Sequence, residues 1–393
     1  MKSPILLLAA ATVVAACTSR QQSGEIEIIL PEKDKDVEGF INAIKSIEVI
    51  DLEVDSNYIF IEDADLRVSD NYYYFVPKYM SFRNNTAHLV CYDKATGKIQ
   101  FSKLILGRSQ AEVTEISGSF IVGDKIVLND YGSLKMYDHT GRFCGVLGEG
   151  ASRFLLPMGD GFVSDGYNDG TEYLCLLDSA FNEKEIFFEL PQEYMIGSFV
   201  ETSTPCKYVI NDNLHFLYPF TYRLHSFPDN KTYHFITSNP IPESLLSNPN
   251  NNAMMVRTEC YNNGYANDLD ELVENQDYIS FVYVVGFYDI VCRVLISKRD
   301  NKVFCIGGGK SEYESEVKPD SPNGLWASLL FNANFIYSDG KYFYMSASER
   351  AYKYWEEHKN NLNAQQKNLF EKMQSCFAKS EDEGFKIFLK IEF

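Results

Sequence analysis

Residues 114 to 147, TEISGSFIVGDKIVLNDYGSLKMYDHTGRFCGVL, set short apolar runs between turn residues in a regular rhythm. The runs are rich in Ile, Val, Phe and Tyr. Gly123-Asp124, Asp130-Tyr131-Gly132 and Asp138-His139-Thr140-Gly141 separate them. Gly and Asp supply the positive φ or the local side-chain hydrogen bonds that tight turns need, and each gap has hairpin length. The stretch therefore predicts four antiparallel strands, about Thr114 to Val122, Lys125 to Asp130, Ser133 to Asp138 and Arg142 to Leu147. A four-stranded meander is one blade of a β-propeller.

The unit recurs. A polar turn leading into an aromatic or β-branched run occurs six times: SDNYYYFV at Ser69, GDKIVLND at Gly123, GDGFVSDG at Gly159, NDNLHFLY at Asn211, NQDYISFVYVV at Asn275 and SDGKYFYM at Ser338. Six copies predict six blades in an all-β ring. A second marker, a strand running into a polar turn before Lys, Arg or Glu, follows five of them: YDKATGK, YDHTGR, LDSAFNE, SFPDNK and SKRDNK.

The sixth copy lacks that turn. Residues 349 to 380 are rich in helix formers and place Leu362, Leu369, Phe370, Met373 and Phe377 at near-helical spacing, which predicts a helical insertion. The chain then ends in FKIFLKIEF. If that strand is third in its blade, SIEVIDLEV at Ser46 to Val54 is the candidate fourth, so both termini close one blade and leave no open edge at the seam. A single propeller is thus expected over residues 46 to 393. The irregular stretch from Pro240 to Glu274 is expected to be a loop with a helical turn near Asn267 to Val273.

Lys2, the apolar run Ile5 to Ala16 and the small residues before Cys17 form a secretory signal, too short to span a bilayer. Val14-Ala15-Ala16-Cys17 resembles a bacterial lipobox, which implies cleavage after residue 16, a lipid on Cys17 and a tether and lead-in over residues 17 to 45. The absence of Asp after the cysteine implies the outer membrane, by resemblance to lipoprotein sorting. Formal net charge is −19, or −20 once Lys2 is removed, and no basic patch offsets it, so nucleic acid is excluded as a partner. Eight further cysteines contain no CxxC, and most lie inside apolar runs, as small buried hydrophobes do.

The lipobox, the N-terminal strand, the SDNYYYF strand followed by YDKATGKIQ, and the final apolar strand after an acidic turn resemble the six-bladed β-propeller lipoproteins of Bacteroidetes. Of the Gly-x-Gly-Pro-x-Glu-Tyr-like loop common there, this chain keeps Gly107, Arg108 and Glu112, but has Ser109, Gln110 and Val113 in place of Gly, Pro and Tyr. Its acidic turn Glu381-Asp382-Glu383-Gly384 lacks the usual Asn-Pro. The resemblance implies a divergent member and no particular activity.

Catalytic motifs are missing. There is no GxSxG, HExxH or GxGxxG after a strand, and GGGKS at Gly307 has Phe304 where a phosphate loop needs glycine. His88, His139, His215, His225, His234 and His358 are scattered. The run Asp165 to Glu172 groups oxygen ligands, but Tyr167 breaks the alternation a calcium loop needs, so a hairpin turn is expected there. Asp63 and Asp65 are equally unspecific. Trp326, in the SPNGLWASLL loop, and Tyr131, in a blade turn, are the aromatics that would stack on a ligand if exposed, but packing between adjacent blades consumes most aromatics and favours a core position for them. These observations predict a membrane-anchored, non-enzymatic binding or scaffold protein without a cofactor or metal, presenting one propeller face to a glycan, peptide or protein. The alternatives are a hydrolase or lyase assembled at the central channel and a structural subunit of an envelope complex.

Overall fold

The computed structural model describes residues 24–54, 64–77, 88–105, 107–130, 132–149, 154–168, 171–189, 206–218, 220–248, 251–309, 318 and 320–380, together with 385–393. Near the N-terminus lie β1 (Gly24–Ile29), α1 (Val37–Asn42) and β2 (Ser46–Ile50). Five consecutive four-stranded groups follow. The first is β3 (Ala64–Val68), β4 (Tyr72–Pro77), β5 (His88–Asp93) and β6 (Ile99–Leu104). The second is β7 (Gly118–Val122), β8 (Lys125–Asp130), β9 (Ser133–Tyr137) and β10 (Phe143–Glu149). The third is β11 (Leu155–Met158), β12 (Gly161–Asn168), β13 (Thr171–Leu177) and β14 (Glu183–Glu189).

The fourth group is β15 (Cys206–Ile210), β16 (Asn213–Leu217), β17 (Arg223–Phe227) and β18 (Lys231–Ile236). After α2 (Glu243–Leu246) and α3 (Ala253–Asn263) comes the fifth, β19 (Ala266–Glu274), β20 (Tyr278–Val285), β21 (Ile290–Ser297) and β22 (Val303–Gly309). The chain closes with α4 (Pro322–Asn332), β23 (Ala333–Ser338), β24 (Tyr342–Ser348), α5 (Glu349–Glu357), α6 (Ala364–Phe377) and β25 (Lys386–Glu392).

Each group is an antiparallel sheet in simple meander order, and the sixth sheet runs β2-β25-β24-β23. The strand from the start of the chain thus pairs with the terminal strand, Ser46 opposite Glu392 and Ile50 opposite Phe388. First strands of neighbouring sheets lie side by side: β3 with β7, β7 with β11, β11 with β15, β19 with β23, and β23 with β3. Between β15 and β19 the junction is made by side chains, with Tyr208 donating to Glu274.

The turn chemistry explains the second sequence marker. In the turns from third to fourth strand, Asp93 accepts from the Thr96 N–H and hydroxyl, Asp138 from Thr140 and Arg142, and Asp178 from the Ala180 and Asn182 N–H groups. A short carboxylate at that position closes the turn that a backbone hydrogen bond alone would leave loose. Desolvation pushes the Asp138 carboxyl up, but the bonds from Thr140 and Arg142 outweigh it and bring the pKa to about 2. A depressed carboxyl stabilises the fold above its unfolded pKa and loses that contribution as pH falls through the folded value. Asp138→Ala is expected to cost about 1–2 kcal/mol at pH 7. Urea titrations should show the gap between variant and parent closing as the pH approaches 2.

The region before the fifth sheet departs from the sequence expectation. Asn267 to Val273 belongs to the first strand of that sheet, and the helices of the region, the short α2 and the longer α3, lie upstream of it, α3 capped by Asn252 and ended by Gly264 at φ 67°. A second difference is an additional strand: β1 joins the fourth sheet as a fifth member, parallel to β18, with Gly24 opposite Lys231 and Ile29 opposite Ile236. The chain then crosses to the fifth sheet, where Lys35 bridges Cys305 and Asp34 accepts from the Gly307 N–H. There the glycine run has its reason. A Cβ on Gly308 would lie 2.6 Å from the Lys33 Cα, so only glycine lets this belt pass. The belt continues through α1 into β2, covering the outer edges of three successive sheets.

A candidate binding face

The connections fall into two kinds. Those from first to second strand and from third to fourth are tight turns, and turns of neighbouring sheets touch: Asn71 donates to Asp124, the Gly159 N–H to Asp212, and the Gln276 N–H to the Gly340 carbonyl. They share one face. The connections from second to third strand and from one sheet to the next leave the opposite strand ends; some are as short as those of β8–β9 and β12–β13, but the long ones all belong to this kind, over 105–117, 190–205, 237–265, 310–332 and 349–385. Long loops on a rigid frame are where binding groups collect.

On the loop face the charged groups near the first strands are held by one another. Lys207, whose side chain is 3% exposed, places Nζ 3.7 Å from Asp165 and 3.6 Å from Glu172, over the rings of Phe154 and Tyr218. Asp165 also accepts from the Phe154 N–H at 3.0 Å. Of the acidic run singled out in the sequence, Asp165 on β12 and Glu172 on β13 therefore share one cation from the next sheet, and Asp169 lies outside the described residues. In the preceding sheet Asp130 acts likewise, pairing with Lys135 at 2.7 Å and accepting from Thr114 and Glu115, which ties down the incoming connection. Within that connection Glu112 accepts from the Ser109 N–H, so two of the loop residues noted in the sequence fold onto each other.

The histidines do not converge. His88 meets Ser102, His139 stacks on Tyr72, His234 meets Glu25, and His358 packs on Tyr354. His225 meets Thr232, and burial lowers its pKa to about 4. His215 joins Glu274, a fully buried carboxylate that also takes Tyr208 and Lys298, at the junction of sheets four and five. Neither that cluster nor the Lys207 cluster presents a free acid, base or nucleophile. Among the described residues no group of three or more His, Cys, Asp and Glu is placed to hold a metal ion. Among the described side chains seven cysteines are free thiols, and six of those are buried. Asp65 pairs with Arg67 at 3.5 Å, whereas Asp63, Tyr131, the Glu381–Gly384 turn and Cys17 lie outside the described residues.

The segment around Trp326 is a helix where a loop is expected, while the side chain is core, as packing between sheets favours. Trp326 stands on α4, is 5% exposed, and packs edge-on against Trp355 at 5.2 Å, so it offers no platform. The exposed aromatics among the described residues are Phe287 and Tyr288, at 68% and 47%, in the β20–β21 turn. Tyr261 on α3 meets Phe287 edge-on at 5.4 Å, and Met254 and Met255 are exposed at the start of the same helix. The Pro240–Glu274 stretch thus meets the hairpin through Tyr261, with the two methionines about two turns further back along α3. Tyr288 is held at φ 58°, a conformation that costs a bulky residue of order 1 kcal/mol.

No family model matches the sequence, and no curated protein matches it. Solved structures do. A protein of Bacteroides fragilis described as exported aligns with a TM-score of 0.66 at 13% identity, over 94% of this chain and 99% of that one. A member of the duf4221 family from Bacteroides vulgatus aligns with a TM-score of 0.48 at 10% identity, over 88% and 96%. At these identities the first likeness concerns the fold alone. No helix among the described residues is long and apolar enough to cross a membrane.

Proposed function

We propose that the six sheets are the blades of one closed propeller, and that its loop face binds a peptide or protein partner without catalysis. Closure is supported by the sequence of side-by-side first strands and by the β2–β25 seam. The lipobox at Cys17 supports anchoring of the mature chain at the cell envelope, in the outer membrane, and the exported Bacteroides fragilis neighbour is compatible with that address.

The observation that carries the binding reading is the patch of Met254, Met255, Phe287 and Tyr288 on the loop face. Methionine adapts its shape to many surfaces and aromatic rings bring large contact area at little entropic cost, a combination suited to peptide and protein surfaces. Neutralised carboxylates and scattered histidines argue on the same side, since general acid–base work needs groups free to exchange protons.

The test uses residues 18–393 immobilised against an envelope extract, beside a Phe287→Ser/Tyr288→Asn double variant. Asn tolerates the left-handed turn position, so the variant should unfold at a temperature equal to or above the parent's. Loss of at least 100-fold in affinity for the captured partner is expected, because central aromatic contacts commonly contribute about 2 kcal/mol or more each. Equal capture by parent and variant would remove the patch from the binding surface.

A further inference from the structure

We propose that the tight-turn face lies against the lipid surface, with β1 as the strut that sets this orientation, so that the loop face points away from the membrane. The inference rests on lipid attachment at Cys17. It adds which way the propeller faces, and therefore which surface a partner can reach.

The first argument is where β1 begins. Because β1 runs parallel to β18, its first residue sits beside Lys231, directly after the turn that joins β17 to β18 on the tight-turn face. Its last residue, Ile29, sits beside Ile236, where the chain leaves for the loop face. The anchor segment accordingly enters the sheet from the tight-turn side. An antiparallel β1 would have delivered it to the other side.

The second argument is reach. Seven peptide links separate Cys17 from Gly24, which span at most about 25 Å when fully extended. To bring the loop face to the lipid, the tether would have to run back along the sheet, about 20 Å for six residues of strand. Beyond that end of the sheet it would still have to pass the connection that carries α2 and α3. The segment is too short for both. Attached at the tight-turn side, it is long enough to let that face settle on the headgroups.

The experiment uses the full-length chain, acylated in a bacterial host and reconstituted into vesicles of phosphatidylethanolamine and phosphatidylglycerol that carry a headgroup energy-transfer acceptor. Cys144, a partly exposed thiol, is first replaced by Ser. A donor dye is then placed at Ala95→Cys in a tight turn or at Asn262→Cys on α3, both exposed positions. Transfer from position 95 is expected to exceed that from 262 severalfold. Inserting twenty Gly/Ser residues after Arg20 should shrink the difference, since such a linker adds roughly 25 Å of reach. Equal transfer with the native tether, or stronger transfer from 262, overturns the orientation while leaving the anchor intact. Incorporation of labelled fatty acid, compared with Cys17→Ala, tests the anchor itself: no incorporation into the parent overturns both.

Discussion

Glu274→Ala is expected to lower the unfolding free energy by about 3–5 kcal/mol, a large share of the roughly 5–15 kcal/mol that holds an ordinary domain together. The carboxylate is 0% exposed. Its Oε1 lies 2.5 Å from Lys298 Nζ, and its Oε2 accepts from the Tyr208 hydroxyl at 2.7 Å and lies 3.1 Å from His215 Nδ1. Removing it takes a charged partner from Tyr208, His215 and Lys298, of sheets four and five, at a junction made by side chains. Buried polar groups are then short of a hydrogen bond, which costs more than the net value of the bonds lost.

Acid should reproduce some of this effect. Burial by itself would raise the Glu274 carboxyl, but His215 and Lys298 outweigh it and hold its pKa below the usual value. Its contribution is therefore complete above the unfolded pKa of about 4.3 and is lost as pH falls through the lower folded value. Denaturant unfolding of parent and variant at pH 7 and at progressively lower pH should converge on the acid side. A constant gap would show that the carboxylate acts through packing alone.

The second large effect is expected at Trp355. Trp355→Ala should cost about 3–5 kcal/mol, since the side chain is fully buried, donates from Nε1 to the Leu325 carbonyl at 2.8 Å and meets Trp326 edge-on. Trp355→Phe keeps most of the volume but removes the indole donor to that carbonyl, and should cost about 1–2 kcal/mol. The pair tests whether the helices are an appendage or belong to the frame. Residues of α4, α5 and α6 share one apolar core with Phe75, Phe343, Phe388 and Ile391 from sheets one and six. Near-ultraviolet dichroism and far-ultraviolet dichroism should accordingly lose signal in one transition at a lower midpoint. A helical transition that moves alone would show that the insertion folds apart from the sheets.

Much of the frame was legible because turns carry local chemistry. Gly123-Asp124 and Asp138 to Gly141 bend the chain with their own atoms, so their meaning does not depend on distant partners, and the expected seam between β2 and β25 follows from counting strands. Where the sequence misled, the signal was not local. Leu269, Leu272 and Val273 have helical spacing, yet they lie in β19, whose pairing shifts register twice and which holds Glu271 at φ 54°. Such a bulge breaks the period of two that marks a strand. In α3 the buried described positions are Val256 and Cys260, too narrow a stripe to reveal a helix, although Asn252 and Gly264 were available as start and stop signals.

Residues of α4 are buried nearly all round, so no stripe exists, and Ser321-Pro322-Asn323-Gly324 has the composition of a turn. Glu25-Ile26-Glu27-Ile28 does alternate, but its partner β18 lies some two hundred residues on, beyond any local argument. The polar clusters were unreadable for the same reason. Lys207 serves carboxylates at 165 and 172, and Glu274 gathers 208, 215 and 298.

The parallel pairing of β1 also decides how the molecule bears a pull. Tension applied at the amino end draws Gly24 along the axis of β18, away from Ile236, so the hydrogen bonds that join the two strands are loaded together in shear. Had β1 been antiparallel and entered at the opposite end, the same pull would have had to bend around the sheet and peel the pairs one at a time. A chain dragged by its first described residue thus resists as a lap joint, and behind that joint the crossing at Lys35 and the β2 seam hold the next two sheets to the same cord.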